Sequence, residues 1–450
     1  MNREQQSFVQ LLRKRLGDYL NCLSNRQNMS LQERLTCLSQ LAATHERLFE
    51  YKKALIYYKQ ILEISTHWQL KDWQENALYH LGDCQRHLSN FHQSIDYFVR
   101  LEELARETGN RVLQIAAFWG QGTSYQNLGQ YQYALKCFQN QLALSCEMEE
   151  SGWQKSALGS LANVHQFLGD TQTALNYEQK ALNLAQRKGD EKAEGDSWAN
   201  LAGIYIQMRS WQTAKDCSDR ALSIAYKYQN QDLMMISLHS LGQIHKSLDH
   251  YALAQGYFTE ALAISQQIGE KRVRSAILQG LSDICSQTNQ LNQAIAYNSQ
   301  SWEICREIGN QFGEAAALSR MAITYHKLRD TQAALDCYHQ ALIILEAIGA
   351  KQSQQSVYFS VGSIYYQIQQ YSQALEYLNT ALSIAQELNN HSEQAKIFLA
   401  LAAIYQKNQM KNIAIKHYQR AYELYKSIGD ENHALQMLQT MKKLNIEPQT

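Results

Sequence analysis

The sequence predicts an all-α protein, a superhelical solenoid of stacked helical hairpins. Three observations predict it. One proline, Pro448, occurs in 450 residues, whereas sheets joined by many loops would use more turn prolines. Leu, Ala, Gln, Lys and Glu, all strong helix formers, dominate the composition. A 40-residue beat runs ten times along the chain without insertion or deletion.

The beat is carried by columns. Stepping by 40 from Ala54 gives Ser94, Ala134, Ala174, Ala214, Ala254, Ala294, Ala334, Ala374 and Ala414, all small. Stepping from Ala42 gives Gly82, Gly122, Ala162, Ala202, Gly242, Ser282, Ala322, Gly362 and Ala402, again all small. Large residues stand four places before the second series, as in Leu78, Leu158 and Trp198. Aromatic or imidazole side chains stand three places after it, as in His45, Tyr125, His165, Tyr205 and His245.

Each unit then explains itself. Leu158, Leu161, Ala162 and His165 are spaced i, i+3, i+4, i+7, one face of a helix. Ala174, Leu175, Tyr177 and Leu182 make a stripe on a second helix, and Leu168-Gly169-Asp170 is the turn between them. The small columns mark where two backbones approach closely. Gly109, Gly189, Gly269, Gly309, Gly349, Asn389 and Gly429 share a column in which a left-handed residue closes a helix. Asn110, Asp190, Asn310, Asn390 and Asp430 follow and suit the start of the next one. One hairpin cannot bury its apolar face alone, but stacked copies can.

LGQYQYALKCFQ at 128–139 and LGDTQTALNYEQ at 168–179 are two copies of one motif. With Gly122 and Tyr125 ahead of Ala134 and Phe138, and Ala181, Ala221, Ala261, Ala341, Ala381 and Ala421 later in the unit, it resembles the tetratricopeptide repeat (TPR). The resemblance covers about residues 34–430. It implies a right-handed superhelical solenoid of about ten hairpins. It also implies a concave surface, lined by helix A of each hairpin, that binds proteins or peptides. The usual unit of about 34 residues ends in proline; this one has 40 and ends in Gly or Asn. In that it is similar to the longer-helix variety of kinesin light chains, spindle-orientation adaptors and bacterial repeat proteins.

The ends read as caps, giving an expected division into 1–33, 34–430 and 431–450. Ser30-Leu31-Gln32-Glu33 is a capping box. Ahead of it Phe8, Leu11, Leu12, Leu16, Tyr19 and Leu23 form an amphipathic stripe for a helix covering the first repeat. Leu435, Leu438 and Met441 continue a last helix A, where Lys442 occupies the small column and stops the stack. Lys215, Ser218, Gln255, Gly256 and Asn298 occupy or adjoin apolar columns of the fifth to seventh repeats. They mark either the most yielding part or a local binding surface.

Charge and motifs exclude several functions. Lys+Arg and Asp+Glu are 42 each, without the basic excess of a nucleic-acid binder. Nine scattered cysteines without a CxxC pair argue for a reducing compartment, with the cytoplasm as the expected location. The N-terminus lacks the apolar core of a signal peptide, and no apolar run is long enough to span a bilayer. His45, His165 and His245 fall in a packing column, and Cys137, Cys217 and Cys337 share another. Gly120-Gln121-Gly122 resembles a fragment of a phosphate loop but lies in a helix, without the strand and loop that chemistry requires. No catalytic residue, metal ligand or cofactor is expected, and neither nucleic acid nor membrane insertion.

Candidate binding residues are the helix-A columns not used for packing. They are Asn76, Tyr79, Asp83 and Arg86 in the second repeat, then Trp119, Thr123 and Gln126 beside Ala116 in the third. Asn163 and Gln166 join Ser156 and Gly159 in the fourth, and His239, Gln243 and Lys246 join Ile236 in the sixth. His326, with Ala316, Ser319 and Ile323, belongs to the eighth repeat; Phe359 and Tyr366, with Ser356 and Ser363, belong to the ninth. Amides can pair with a peptide backbone, and aromatics offer apolar anchors. The leading expectation is a non-enzymatic scaffold or adaptor for a protein segment. The alternative is a receptor sensing a peptide or ligand within a larger signalling protein, although no DNA-binding or ATPase module is visible.

Overall fold

Among the described residues two positions recur in a left-handed conformation, 20 residues apart, and these turns set the architecture. The turn inside each hairpin uses Ser89, Gly129, Gly169, Arg209, Asp249, Asn289, Arg329, Gln369 and Gln409, all at φ between 58° and 79°. The turn between hairpins uses the glycine column, Asn389, and also Gln69, Glu149 and Gln229. At each, backbone N–H groups return to the helix just ended, as Gly129 donates to Gln126 O (3.0 Å) and Gln130 to Tyr125 O (2.9 Å). The next helix starts at once. Asn110 accepts from Leu113 N, Asp190 from Ala193 N, Asn310 from Gly313 N and Asn390 from Glu393 N.

A computed structural model describes residues 3–24, 29–48 and 50–446, with the side chains of 10–20, 29–48 and 50–444. Every described element is a helix. They divide into two units, 1–244 and 245–450. The first holds α1 (Arg3–Ser24), α2 (Leu31–Arg47), α3 (Tyr51–His67), α4 (Lys71–His87), α5 (Phe91–Thr108), α6 (Arg111–Asn127), α7 (Tyr131–Glu147), α8 (Ser151–Phe167), α9 (Thr171–Lys188), α10 (Glu191–Gln207) and α11 (Trp211–Tyr228). The division falls within α12 (Gln231–Ser247). The second holds α13 (Tyr251–Ile268), α14 (Lys271–Gln287), α15 (Leu291–Glu307), α16 (Gln311–Lys327), α17 (Thr331–Ala347), α18 (Lys351–Gln367), α19 (Tyr371–Glu387), α20 (His391–Lys407), α21 (Lys411–Ser427) and α22 (Glu431–Ile446).

In each unit successive helices pack antiparallel, with the even-numbered ones from α2 as helix A. Lys71 pairs with Glu107 and Arg111 with Glu147, both at 3.3 Å, joining the start of helix A to the end of helix B in one hairpin. These pairs are exposed and add little energy. Helix A also touches the next helix A, as α4 with α6, α6 with α8, and α16 with α14.

Packing supplies the stability. The alanines of the helix-B small column are fully buried. Four places later comes a column of large side chains: Tyr58, Phe98, Phe138, Phe258, Tyr338, Leu378 and Tyr418. Phe98 and Phe258 are fully buried, each contributing about 2–3 kcal/mol through lost apolar surface. They lie over glycines 22 residues on. A Cβ on Gly120 would sit 2.4 Å from the Phe98 ring, and one on Gly280 2.7 Å from Phe258. Gly122 is likewise covered by Phe138, so Gly120-Gln121-Gly122 is a packing surface. The histidines pack too: His45 stacks on Tyr57, His165 on Tyr177 and His245 on Tyr257 at 5.4–5.6 Å. Burial pushes the Cys137 thiol up to about 12 and the Cys217 thiol up to about 11.

The ends differ from expectation in detail. Ser30 and Glu33 form the capping box, and α1 lies on α2, with Cys37 Sγ donating to Tyr19 O (3.3 Å). Leu12 is buried but Leu11 is exposed; Phe8 and Leu23 lie outside the described side chains, as does Pro448. In α22 the buried stripe is Ala434, Met437 and Leu444, while Leu435 faces solvent. The small residue goes inward because Tyr418 and Tyr425 already occupy the space against it. In the middle repeats Gln255 and Gly256 are exposed and weaken no core. Ser218 and Asn298 are fully buried in the large column; Ser218 donates to Ala214 O, but neither amide atom of Asn298 has a partner.

Two stability predictions follow from this packing. Gly120→Ala lowers unfolding free energy by about 2 kcal/mol through overpacking, whereas Gly203→Ala, whose Cβ meets open space, raises it by about 0.5–1 kcal/mol; urea melts compare them. Asn298→Leu raises stability by about 1–3 kcal/mol, because an unpaired buried amide is replaced by an apolar side chain of similar size. A lower melting midpoint for Asn298→Leu would refute that account.

Candidate functional site

Within residues 1–244, three neighbouring A helices border a polar cavity of about 420 Å³. Trp119, Thr123 and Gln126 come from α6, and Lys155, Ser156, Gly159, Ser160 and Asn163 from α8. Asp196, Ser197 and Asn200 come from α10, and Glu178 reaches in from α9. The space exists because of a local sequence change. Helix-A positions one repeat apart read Tyr79, Trp119, Gly159, Ala199, so bulk is missing at the fourth and fifth repeats. A Cβ on Gly159 would meet nothing nearer than Glu178 Oε2, at 3.9 Å.

Glu178 stands in the large column, where Phe98 and Phe138 stand in the preceding hairpins. It is 2% exposed. Its Oε1 accepts from Asn200 Nδ2 (3.3 Å), and position 200 is the 22-residue partner that Gly120 supplies to Phe98. Lys155 pairs with Asp196 (3.2 Å) across the mouth. Burial pushes the Glu178 carboxyl up to about 7, against the opposing pull of Asn200. Ser197, 1% exposed, turns its hydroxyl toward Glu178 and, with Asn200, opposes that rise.

Of the expected site residues, Trp119, Thr123, Gln126 and Asn163 therefore converge, and Gln126 Nε2 donates to Asn163 Oδ1 at 3.5 Å. Asp83 and Arg86 form an ion pair (2.6 Å), with the Arg86 guanidinium 5.1 Å over the Trp119 ring. Asn76 is exposed and Gln166 half-buried, both outside the cavity. Tyr79 packs edge-on to Phe98. His239 and Gln243 lie 3.1 Å apart on α12. Tyr79, Trp119, Phe359 and Tyr366 are half-buried, each with part of its ring against a local core. Sequence reasoning missed Glu178, Lys155, Asp196, Ser197 and Asn200. The interruption of the large column at 178 was the available signal.

Residues 245–450 hold an apolar cavity of about 340 Å³ between α16 and α18. Phe312 and Ile323, both exposed, line it with Ala316, Ser319, Ser356 and Arg320. Asp283 pairs with Arg320 and, at 2.7 Å, with Lys246. His326, Phe359 and Tyr366 lie outside it. The His326 Nδ1 is buried without a partner, and Tyr366 packs on Tyr371. Among the described residues no His, Cys, Asp or Glu cluster could hold a metal ion, and no helix is long and apolar enough to cross a membrane.

The tetratricopeptide repeat model matches residues 34–67, 113–187, 194–307 and 313–427, most of the chain. The chain belongs to the tetratricopeptide repeat family. Comparison with curated proteins gives no match. Among solved structures, this TPR chain is similar to a signal transduction ATPase with numerous domains (STAND), carrying a TPR sensor, from Pyrococcus horikoshii. The identity is 15% and the TM-score 0.56, over 75% of this chain and 54% of that one. It thus spans about half of that protein. It is also similar to a Rap protein complexed with competence and sporulation factor, at 15% identity and TM-score 0.50, over 79% of this chain and 99% of that one. Aspartyl phosphate phosphatase F from Bacillus subtilis matches at 13% identity and TM-score 0.50, over 80% and 95%. These likenesses are of fold.

The raised Glu178 carboxyl gives a stability signature. The folded state favours its protonated form, so its contribution is full below about pH 4.5 and is lost as pH rises through about 7. Glu178→Gln is expected to match wild type near pH 4 and exceed it by about 3 kcal/mol at pH 8, read from urea titrations at both pH values.

Proposed function

We propose that this TPR protein is a non-enzymatic scaffold or adaptor that holds a peptide or protein segment on its helix-A face, in the cytoplasm. The carrying observation is the polar cavity bounded by α6, α8 and α10, where amides, hydroxyls and a tryptophan converge. Amides and hydroxyls suit a peptide backbone, and the indole edge suits a side chain. The apolar cavity beside Phe312 and Ile323 offers a second kind of contact, suited to an aliphatic side chain. Buried free cysteines fit a reducing compartment.

A second reading is sensing. The Pyrococcus horikoshii structure is described as having a TPR sensor, and the Rap structure as a complex with competence and sporulation factor. On this reading the chain is the recognition part of a signalling protein, and the same face takes the signal.

Gly159→Trp tests the helix-A face, because the new side chain enters the cavity from a position whose Cβ meets only Glu178 Oε2, at 3.9 Å. Affinity capture from native lysate with wild type, Gly159→Trp and Trp119→Ala/Asn163→Ala, all matched by circular dichroism, is expected to show a protein retained by wild type and lost by both variants. The same captured set for all three would overturn the placement.

A further inference from the structure

We propose that the α6–α8–α10 cavity is a specificity pocket for one basic side chain, an arginine or lysine, of the bound segment. This rests on the helix-A reading above and deepens it. The cavity holds two carboxylates and one lysine, and Lys155 is already engaged by Asp196 at 3.2 Å. Glu178 feels Lys155 only through space and makes no close ion pair, its Oε2 facing the gap above Gly159. An ionised carboxylate at 2% exposure is costly unless paired, and an entering guanidinium or ammonium supplies the missing charge. Ser197 Oγ and Asn200 Oδ1 line the same wall, and their oxygen lone pairs can accept remaining N–H donors. The Trp119 ring gives the aliphatic stem an apolar surface.

The charged groups facing Glu178 are Lys155 from α8 and Asp196 from α10; α6 lines the cavity with none. With the free carboxyl at about 7, a cation binds the ionised form. Affinity for it therefore rises with pH, by roughly tenfold from pH 6 to pH 8.

The test uses the full chain and fluorescein-labelled hexapeptide pools, with one position fixed as Arg, Lys, Gln, Leu or Glu and the others randomised, read by anisotropy. Arg and Lys pools are expected to bind at least about tenfold tighter than the others at pH 8. The preference is lost in Glu178→Gln, which keeps the shape of the side chain, and grows in Lys155→Gln. If all pools bind alike and Gly159→Trp removes them, the basic-residue pocket is wrong and the helix-A reading stands. A preference that survives in Glu178→Gln also overturns the pocket. If no pool binds, both fail.

Discussion

Everything in this chain depends on how closely a helix B can approach the next helix A. At two junctions that distance is set by one aromatic ring lying on one glycine. Phe98 over Gly120 and Phe258 over Gly280 leave no room for a Cβ, so the two positions, 22 residues apart, act as a single steric unit. Where the ring changes, its partner changes with it. Tyr58 stacks on His80 at 4.7 Å, and Glu178 bonds Asn200. The solenoid is therefore not ten copies of one interface. It is a series of interfaces with the same spacing and different chemistry.

The same rule that builds the stack also opens the polar cavity. A carboxylate in a ring's position cannot fill the ring's volume, and Gly159 does nothing to close the gap. Folding tolerates the loss because neighbouring hairpins keep their own clusters, such as those around Phe98 and Phe138. In a structure whose contacts reach only adjacent repeats, one weak interface stays local. Function can then be placed inside a core position without unfolding the rest.

The fold was legible because its causes are local and periodic. Small residues, left-handed turn residues and N-caps each recur in fixed columns, and ten copies average away exceptions. Yet Arg209, Arg329 and Gln369 take the left-handed turn as Gly169 does, which composition does not reveal; closure of the helix forces the conformation on whatever residue stands there. The candidate site was half legible. Trp119, Thr123, Gln126 and Asn163 lie on a helix face that periodicity identifies. Glu178 does not, since its helix face points to the core, and only comparison with Phe98 and Phe138 marks it. A helical wheel gives the direction of Tyr79 and Phe359 but not how far the packed helices around them half-cover each ring, as Phe98 does for Tyr79.

The turns carry a last implication. From Gln69 to Gly429 each junction is closed by a single left-handed residue, with one residue between it and the next helix. There is no slack to absorb a change in length. One extra residue within a helix would rotate every side chain beyond it by about 100°, turning buried side chains away from their partners in the rest of that helix. Such a chain can drift freely in residue identity at its bends, yet it can lengthen or shorten only by whole rungs, as a ladder does.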